Sequence, residues 1–306
     1  NDSRADLIAA STNNQIQVFK NLGGNPPFAI PPDIYNLNFT MRSLILADLN
    51  NDGNKDIVVS GQNSNSLAVL LGSSTGTFSA PSVFAGPASS AYIAAGDFNV
   101  DGNLDLATVG TGFNGSTGVY TLLGNGAGSF NQVAESFAVS NPTGIVSNDY
   151  NGDGRTDLAV VGGSGFSGGS GSITAAFSDG DGTFTISNVY TFSSAPFALT
   201  SADFNGDSRP DLAFTVRSSN SYSVLLNAGN GIFRAGSSFL AGVFPEAITF
   251  GDFNNDGRND VATANRGGNN FSILPNTCQE AVTKTDYNGE GRTDFAVFRP
   301  SSATWL

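Results

Sequence analysis

The sequence predicts an all-β protein, a β-propeller of four-stranded blades. Two observations favour this fold. A nine-residue acidic loop recurs about every 50 residues along a chain of 306 residues, and short apolar runs bounded by Gly, Ser and Asn fill each interval. These runs, of about three to six residues, are too short for helices and are typical of strands. Four short strands in each interval of about 50 residues is the spacing of a propeller blade.

The recurring loop carries carboxylates at its first, fifth and ninth positions, an asparagine at its third and, in most copies, a glycine at its sixth. A further copy at 286–294 has Glu290 at the fifth position instead of aspartate. The chain opens on a half copy, in which Asp2 and Asp6 stand at the fifth and ninth positions. The five complete copies span 48–56, 97–105, 149–157, 203–211 and 252–260.

Every repeating unit has the same order of elements. Around the first complete loop, the apolar run 44–47 predicts a first strand and the run 57–59 predicts a second. A third run, 67–71, follows a polar loop, and a Gly-rich turn ending at Phe78 leads to a more variable fourth strand. The acidic loop is therefore expected to join the first and second strands of each blade.

The ends of the chain do not complete a whole number of units. Residues 1–280 hold about six units, the first of which lacks its first strand, and residues 281–306 hold a seventh, partial unit. We expect seven blades, with six as the alternative. A propeller must pair its two ends or leave an exposed edge. The tail closes the ring of its own chain or exchanges strands with a neighbouring molecule, and the sequence leaves both arrangements open.

The composition of the loops predicts calcium sites. Ca²⁺ takes six to eight oxygen ligands, and a loop of alternating Asp and Asn with Gly at its sixth position supplies them. Three carboxylates within nine residues repel one another unless a cation lies among them. The alternative is a metal-free hairpin of Asx-turns, since Asp, Asn and Gly favour such turns by themselves. One or two copies fit that alternative, whereas five copies favour the cation.

The repeats resemble the FG-GAP/VCBS family, which is known from integrin α-subunit heads and secreted bacterial proteins. The resemblance covers essentially the whole chain. It is carried by the loops, by Gly-Asp-Phe-Asn at 96–99 and 251–254, by Asp-Leu-Ala at 105–107, and by Leu-Leu-Gly-Asn-Gly at 122–126. It implies a seven-bladed propeller with Ca²⁺ in the blade hairpins. The ion is bound by the side chains of positions one, three, five and nine and by the backbone carbonyl of position seven.

Carried onto this chain, the family pattern predicts ligands in each complete loop and, less completely, in the sixth copy. We expect a weaker site in 203–211, where Ser208 replaces glycine and Pro210 stiffens the loop, and a changed reach at Glu290. The expected ligands are Asp48, Asn50, Asp52, Asn54 and Asp56; Asp97, Asn99, Asp101, Asn103 and Asp105; Asp149, Asn151, Asp153, Arg155 and Asp157; Asp203, Asn205, Asp207, Arg209 and Asp211; Asp252, Asn254, Asp256, Arg258 and Asp260; and Asp286, Asn288, Glu290 and Asp294.

The composition argues against several classes of function. The chain has no histidine, which excludes Ser-His-Asp triads, His-based zinc sites and histidine bases. Of 26 acidic residues, 20 lie in the loops, which leaves few carboxylates for glycoside hydrolysis. We therefore expect no enzymatic activity. A net charge of −13 argues against nucleic-acid binding, and no apolar stretch is long enough for a membrane span.

Location and partners follow from the loops and the incomplete ends. Millimolar calcium is an extracellular condition, so we expect a secreted or cell-surface protein, and a chain that begins inside a motif is expected to be a piece of a longer polypeptide. The expected role is a structural, adhesion or protein-interaction module. Its partners are other subunits, including copies that form a multimer or filament. The alternative is a lectin-like propeller that binds surface glycans, since related rings carry sugar sites between blades. An enzyme of polysaccharide metabolism is the third hypothesis.

Overall fold

The protein is described by a computed structural model that covers residues 4–277, except 12, 25–26, 63, 112–115 and 164–168, together with 298–299 and 304–305. The chain forms two compact units, Asn1–Pro275 and Asn276–Leu306. The boundary predicted between residues 280 and 281 lies outside the described residues. Among the residues described, no helix has the length and apolar character needed to cross a membrane.

The larger unit contains six antiparallel sheets, in each of which strands adjacent in sequence are also adjacent in space. Blade 1 comprises β1 (Leu7–Ser11), β2 (Gln15–Phe19) and β3 (Asp33–Asn36), and blade 2 comprises β4 (Met41–Ala47), β5 (Asp56–Gly61), β6 (Ser66–Leu70) and β7 (Ser82–Ala85). Blade 3 comprises β8 (Ala88–Gly96), β9 (Asp105–Thr111), β10 (Thr117–Gly124) and β11 (Phe130–Ala138). Blade 4 comprises β12 (Pro142–Asn148), β13 (Asp157–Gly163), β14 (Gly171–Ser178) and β15 (Phe184–Phe192).

Blades 5 and 6 each contain a short 3₁₀ turn between their second and third strands. Blade 5 comprises β16 (Leu199–Ala202), β17 (Asp211–Val216), the turn Arg217–Ser219, β18 (Ser221–Asn227) and β19 (Phe233–Leu240), and blade 6 comprises β20 (Pro245–Gly251), β21 (Asp260–Asn265), the turn Arg266–Gly268 and β22 (Asn270–Leu274). In the smaller unit, β23 (Phe298–Arg299) pairs with β24 (Thr304–Trp305).

The sheets are the blades of a β-propeller. The first strands of blades 2 to 6 contact one another in chain order, β4 with β8, β8 with β12, β12 with β16 and β16 with β20. The predicted fold is therefore confirmed, with six blades in the described residues, the lower of the two expected counts. Within the described residues, blade 1 begins directly after Asp6 and holds the second, third and fourth strands of a unit, whereas blade 6 holds the first three.

The core lies between blades and not within one central cluster. Each of the five hydrophobic clusters joins one pair of neighbouring blades, as where Leu49 and Leu67 of blade 2 pack with Leu106 of blade 3. Every residue of β5 is buried, as is every residue of β17. A strand covered on both faces reads as a continuous apolar run, which explains why the second strands do not alternate between apolar and polar residues.

Candidate functional site

The five complete loops occupy the same place in blades 2 to 6, the turn between the first and second strands. In every case the last residue before the loop pairs with the ninth position, as Ala47 does with Asp56. Because each blade repeats this register, the five loops lie at the same end of their first strands. The position of these loops, between the first and second strands of each blade, was therefore predicted correctly from the sequence.

A tight backbone turn sets the shape of each loop. The sixth position has a positive φ, 82° at Gly53 and 65° at Ser208. Glycine adopts this conformation at no steric cost, whereas a residue with a Cβ is strained in it. The loop 203–211 therefore keeps the common backbone in spite of its serine, and the strain is local to Ser208.

The first-position carboxylate organises the turn from inside. Asp48 accepts the backbone N–H of Asp52 at 3.2 Å and that of Gly53 at 2.9 Å. The corresponding pairs of bonds are present at Asp97, Asp149 and Asp203, and at Asp252. These are the Asx-type bonds that the metal-free alternative requires. They leave lone pairs on both carboxylate oxygens, so they are compatible with a bound cation as well.

The third and fifth positions face each other across the loop. Asn50 Nδ2 donates to Asp52 Oδ2 at 2.9 Å, and the N–H of Asn54 donates to Asp52 Oδ1 at 2.8 Å. The backbone bond from the seventh position lowers the pKa of Asp52, and the same bond lowers that of Asp101. These exposed carboxylates are therefore held in their charged form.

The ninth-position carboxylate braces the loop against the blade, a role that the sequence did not reveal. Asp105 is fully buried; its Oδ2 accepts the N–H of Phe98 at 2.9 Å and its Oδ1 accepts the N–H of Gly124 at 2.7 Å. The first bond closes the loop, and the second ties the loop to the end of the third strand. Equivalent pairs of bonds are made by Asp56, Asp157 and Asp211.

Burial of these carboxylates changes their acidity. Desolvation raises the pKa of Asp56 and Asp105, and it raises that of Asp157 and Asp211 to about 6, although the backbone hydrogen bonds act in the opposite direction.

The half copy at the start of the chain makes the same kind of hydrogen bond, because Asp6 Oδ1 accepts the N–H of Asn21 at 2.8 Å. A ninth-position aspartate thus persists where the described chain has no complete loop.

Loops also contact neighbouring blades. Ser178 Oγ of blade 4 donates to the carbonyl of Phe98 in blade 3 at 3.1 Å, and Asn227 Nδ2 of blade 5 donates to the carbonyl of Tyr150 in blade 4 at 2.9 Å. Asn259 Nδ2 of blade 6 donates to the carbonyl of Asp203 in blade 5 at 2.8 Å. Each loop is therefore part of the junction between two blades.

The donor chemistry of the loops fits a hard cation, since carboxylate, amide and carbonyl oxygens are its ligands. The geometry leaves some of these oxygen donors more available to a cation than others. Within the described residues, no three Asp, Glu, His or Cys side chains are grouped to hold a metal ion. The first and fifth carboxylates and the third-position amide are the side chains most open to Ca²⁺, whereas the ninth-position carboxylate, also a predicted ligand, already accepts two backbone hydrogen bonds. Calcium binding stays a prediction, and Asp286, Asn288, Glu290 and Asp294 lie outside the described residues.

The loops differ in how their charge is balanced. Arg209 pairs with Asp207 at 2.5 Å and Arg258 pairs with Asp256 at 2.6 Å, so in these two loops an arginine lies on the fifth position. In the described part of the chain, no lysine or arginine pairs with the first- and fifth-position carboxylates of the other three loops. These are Asp48, Asp52, Asp97, Asp101, Asp149 and Asp153.

Comparison with known proteins agrees with the repeat architecture. The model of a family described as FG-GAP-like repeat matches residues 1–59, 48–108, 97–160, 149–214 and 203–263. No curated protein matches the chain. Among solved structures, the chain is similar to the crystal structure of a functionally unknown protein from Desulfotomaculum acetoxidans DSM 771. The TM-score is 0.58 and the identity 13%, over 89% of this chain and 79% of that one.

At this identity the structural likeness supports the fold alone. The family matches are consecutive and overlapping, and together they reach from residue 1 to residue 263. The chain therefore belongs to the FG-GAP-like repeat family.

Proposed function

We propose that the chain is a secreted, calcium-stabilised structural or adhesion module that binds protein subunits, including copies of itself, and that it has no catalytic role. Membership of the FG-GAP-like repeat family supports a protein-interaction module. The observation that carries the proposal is the exposure of the two end blades, where side chains equivalent to those of the internal blade interfaces lie in solvent.

The internal interfaces share one design. The second residue of each loop and two residues of the third strand pack on the next blade, against the residue that follows its ninth-position aspartate. Between blades 5 and 6, for example, Phe204, Tyr222 and Val224 pack with Val261. In blades 2 to 5 the second loop residue is at most 8% exposed, as are Leu49, Phe98, Tyr150 and Phe204.

The last blade exposes the same positions. Phe253, Phe271 and Ile273 of blade 6 are 45%, 73% and 47% exposed. At the other end, Leu7 of blade 1 is 49% exposed, whereas the equivalent residues of blades 2 to 6 are at most 3% exposed. We call Phe253, Phe271 and Ile273 the blade 6 face and Leu7 the centre of the blade 1 face.

The two faces are the two halves of the interface that the chain repeats five times. Each face buries its apolar surface when the opposite type of face covers it, and burial of a large apolar side chain contributes about 1.5–3 kcal/mol. A blade 6 face on the blade 1 face of a second copy is a head-to-tail contact, and such contacts propagate into rings or filaments.

Crosslinking tests this contact. Two chains, Leu7→Cys and Phe271→Cys, each with Cys278→Ser, are mixed and treated with a short bismaleimide. We expect crosslinked dimers that contain one chain of each kind. Leu240→Cys replaces Phe271→Cys in the control, because Leu240 is 79% exposed on β19 and lies outside the blade 6 face. A Leu7→Cys/Phe271→Cys double variant is treated in the same way. If it crosslinks only within single chains and no dimers form, self-assembly is contradicted.

Calcium has a structural role in this proposal. Six carboxylates in the first three complete loops have no cationic partner among the described residues, and a cation bound to the folded state alone stabilises that state. Loops of modest rigidity suit the millimolar calcium outside cells, which supports secretion.

A glycan is the second candidate ligand, and one cavity favours it. A cavity of about 560 Å³ lies between blades 4 and 5 and is lined by Phe192, Phe214 and a row of hydroxyl side chains. Two hydroxyl pairs lie among them, Ser219 with Ser221 at 2.6 Å and Ser223 with Ser238 at 2.7 Å. Hydroxyls beside an aromatic ring suit a sugar. Glycan-array binding that is lost in Ser223→Val supports this candidate, and an array without signal removes it.

A further inference from the structure

An arginine cluster lies at the ends of the first strands opposite the acidic loops. Arg42 of β4, Thr143 of β12, Phe197 before β16 and Glu246 of β20 occupy equivalent positions, each about six residues before the first aspartate of its loop. Since the first strands contact one another in chain order, these residues come together at one end of them. We call this region the mouth of the propeller.

Two arginines from neighbouring blades share one carboxylate at the mouth. Arg217 and Arg266 are equivalent residues, each directly after the second strand of its blade. Arg217 Nη2 and Arg266 Nη1 both donate to Glu246 Oε1, the latter at 3.2 Å. Glu246 thus balances one of the two positive charges.

Arg217 is fixed in place by its surroundings. It is 4% exposed, and its guanidinium carbon lies 3.2 Å from the ring centroid of Phe197 and 5.1 Å from that of Phe244. Thr143 Oγ1 donates to the carbonyl of Phe197 at 2.7 Å, so blade 4 holds the segment that carries this ring. Arg217 is therefore a structural cation, and it sets the local field without being open to a ligand.

Arg42 and Arg266 are the accessible cations. Arg42 Nη2 donates to the hydroxyl of Tyr92 at 2.8 Å, and its guanidinium lies 5.2 Å from the centroid of that ring. Arg42 has no carboxylate partner among the described residues. The pKa of Arg217 is lowered by burial and also by the charges of Arg266 and Arg42, while Glu246 opposes this. Arg217 therefore lies within electrostatic range of both Arg42 and Arg266.

Among the described residues placed at the mouth, three arginines and one glutamate leave a positive balance, although the chain has 13 basic and 26 acidic residues. A guanidinium binds a carboxylate with two parallel hydrogen bonds, and a ring-supported guanidinium such as that of Arg42 is held ready for it. We propose that the mouth binds the carboxylates of an acidic peptide segment, with Arg42 and Arg266 as the direct contacts, Tyr92 as a positioning residue and Arg217 as a buried source of positive charge.

The acidic segment is taken as a peptide because the inference rests on the proposed role in protein interaction. It is independent of the end faces, since Arg42, Arg217 and Arg266 are not part of either one. Failure of head-to-tail crosslinking therefore leaves peptide binding at the mouth to be judged by its own experiment.

Fluorescence anisotropy at low ionic strength tests the inference with fluorescein-labelled hexaglutamate as the probe and hexaglutamine as the uncharged reference. We expect the full chain to bind hexaglutamate and not hexaglutamine. Loss of one charge-assisted contact in Arg42→Gln or Arg266→Gln is expected to weaken binding about tenfold. Arg234→Gln is the matched control, because Arg234 is an exposed arginine on β19, and we expect it to bind as the parent does.

The inference is overturned if the parent chain fails to bind hexaglutamate, or if Arg42→Gln and Arg266→Gln bind it as well as the parent does. It is also overturned if Arg234→Gln weakens binding as much as those two variants do. A labelled oligogalacturonate is measured beside the peptide, and tighter binding of that acidic glycan assigns the mouth to a different ligand class. Circular dichroism of each variant confirms that the propeller is folded.

Discussion

Replacement of the buried Asp105 by asparagine isolates the bracing role of the ninth position from its predicted role in calcium binding. The carboxylate accepts one N–H from the loop, at Phe98, and one from the end of the third strand, at Gly124. An asparagine keeps one acceptor oxygen and turns an NH₂ group toward the other N–H. One buried donor then loses its acceptor.

The structure allows the cost to be estimated. A hydrogen bond to a charged group contributes roughly 1.5–3 kcal/mol. Asp105→Asn loses one such bond and weakens the other, but it also removes a buried charge whose desolvation is unfavourable, so we expect a loss of about 2 kcal/mol in the free energy of unfolding. Asp105→Ala loses both bonds and is expected to cost about 4 kcal/mol.

Urea unfolding followed by circular dichroism measures this loss, with EGTA present so that calcium contributes nothing. Asp101→Asn in the same loop is the control, because Asp101 is exposed and contacts only its own loop. In EGTA we expect Asp105→Asn to unfold at lower urea than the parent and Asp101→Asn to unfold with the parent. With calcium added, both variants are expected to fall below the parent.

Amide hydrogen exchange provides a second, local readout. If Asp105 holds the two N–H groups, exchange at Phe98 and Gly124 accelerates in Asp105→Asn while exchange in blade 5 is unchanged. A variant with the urea midpoint and the exchange rates of the parent in EGTA refutes the bracing role and leaves Asp105 as a metal ligand alone.

Three further predictions concern the loops and the blade faces. Removal of calcium by EGTA should lower the melting temperature of the parent substantially, since a ligand of the folded state is lost; an unchanged melting curve argues against calcium. Phe98→Ala should cost about 3–5 kcal/mol in urea unfolding, because Phe98 is fully buried, whereas the equivalent Phe253→Ala should cost about 1 kcal/mol or less, because Phe253 is 45% exposed; similar losses in the two variants contradict the open blade 6 face. Ser208→Gly should raise stability by about 0.5–1 kcal/mol by relieving a positive φ, and a lower melting temperature in this variant would count against strain at Ser208.

The sequence was sufficient for the architecture of a blade because that architecture is local. The spacing of the loops predicted where strands begin, and the pairing of Ala47 with Asp56 and of Gly96 with Asp105 confirmed it. Turn chemistry and short apolar runs act within a few residues. Each of the five complete loops therefore predicted the strand pairing of its own blade.

The different roles of the three loop carboxylates could not be read from the sequence. Positions one, five and nine are all aspartate, and only the structure separates the half-buried Asp48 and the exposed Asp52 from the fully buried Asp56. The partner of Asp56 Oδ1 is the N–H of Gly72, about 16 residues later, and the sequence carries no local signal for that contact. The apolar run that begins directly after each ninth position was the one hint of burial.

By itself, then, the sequence determined the repeat, the strand order within each blade, the oxygen-rich loops and the family. The tertiary structure alone decided that Phe271 is exposed where its equivalent Tyr222 is buried, and that Arg42 of blade 2 lies within electrostatic range of Arg217 of blade 5. The physical reason is that exposure and electrostatic fields depend on which blade lies beside a residue and across from it. Equivalent side chains in a repeat protein have the same local sequence but different neighbours, and the neighbours differ most at the ends of the array and at the mouth.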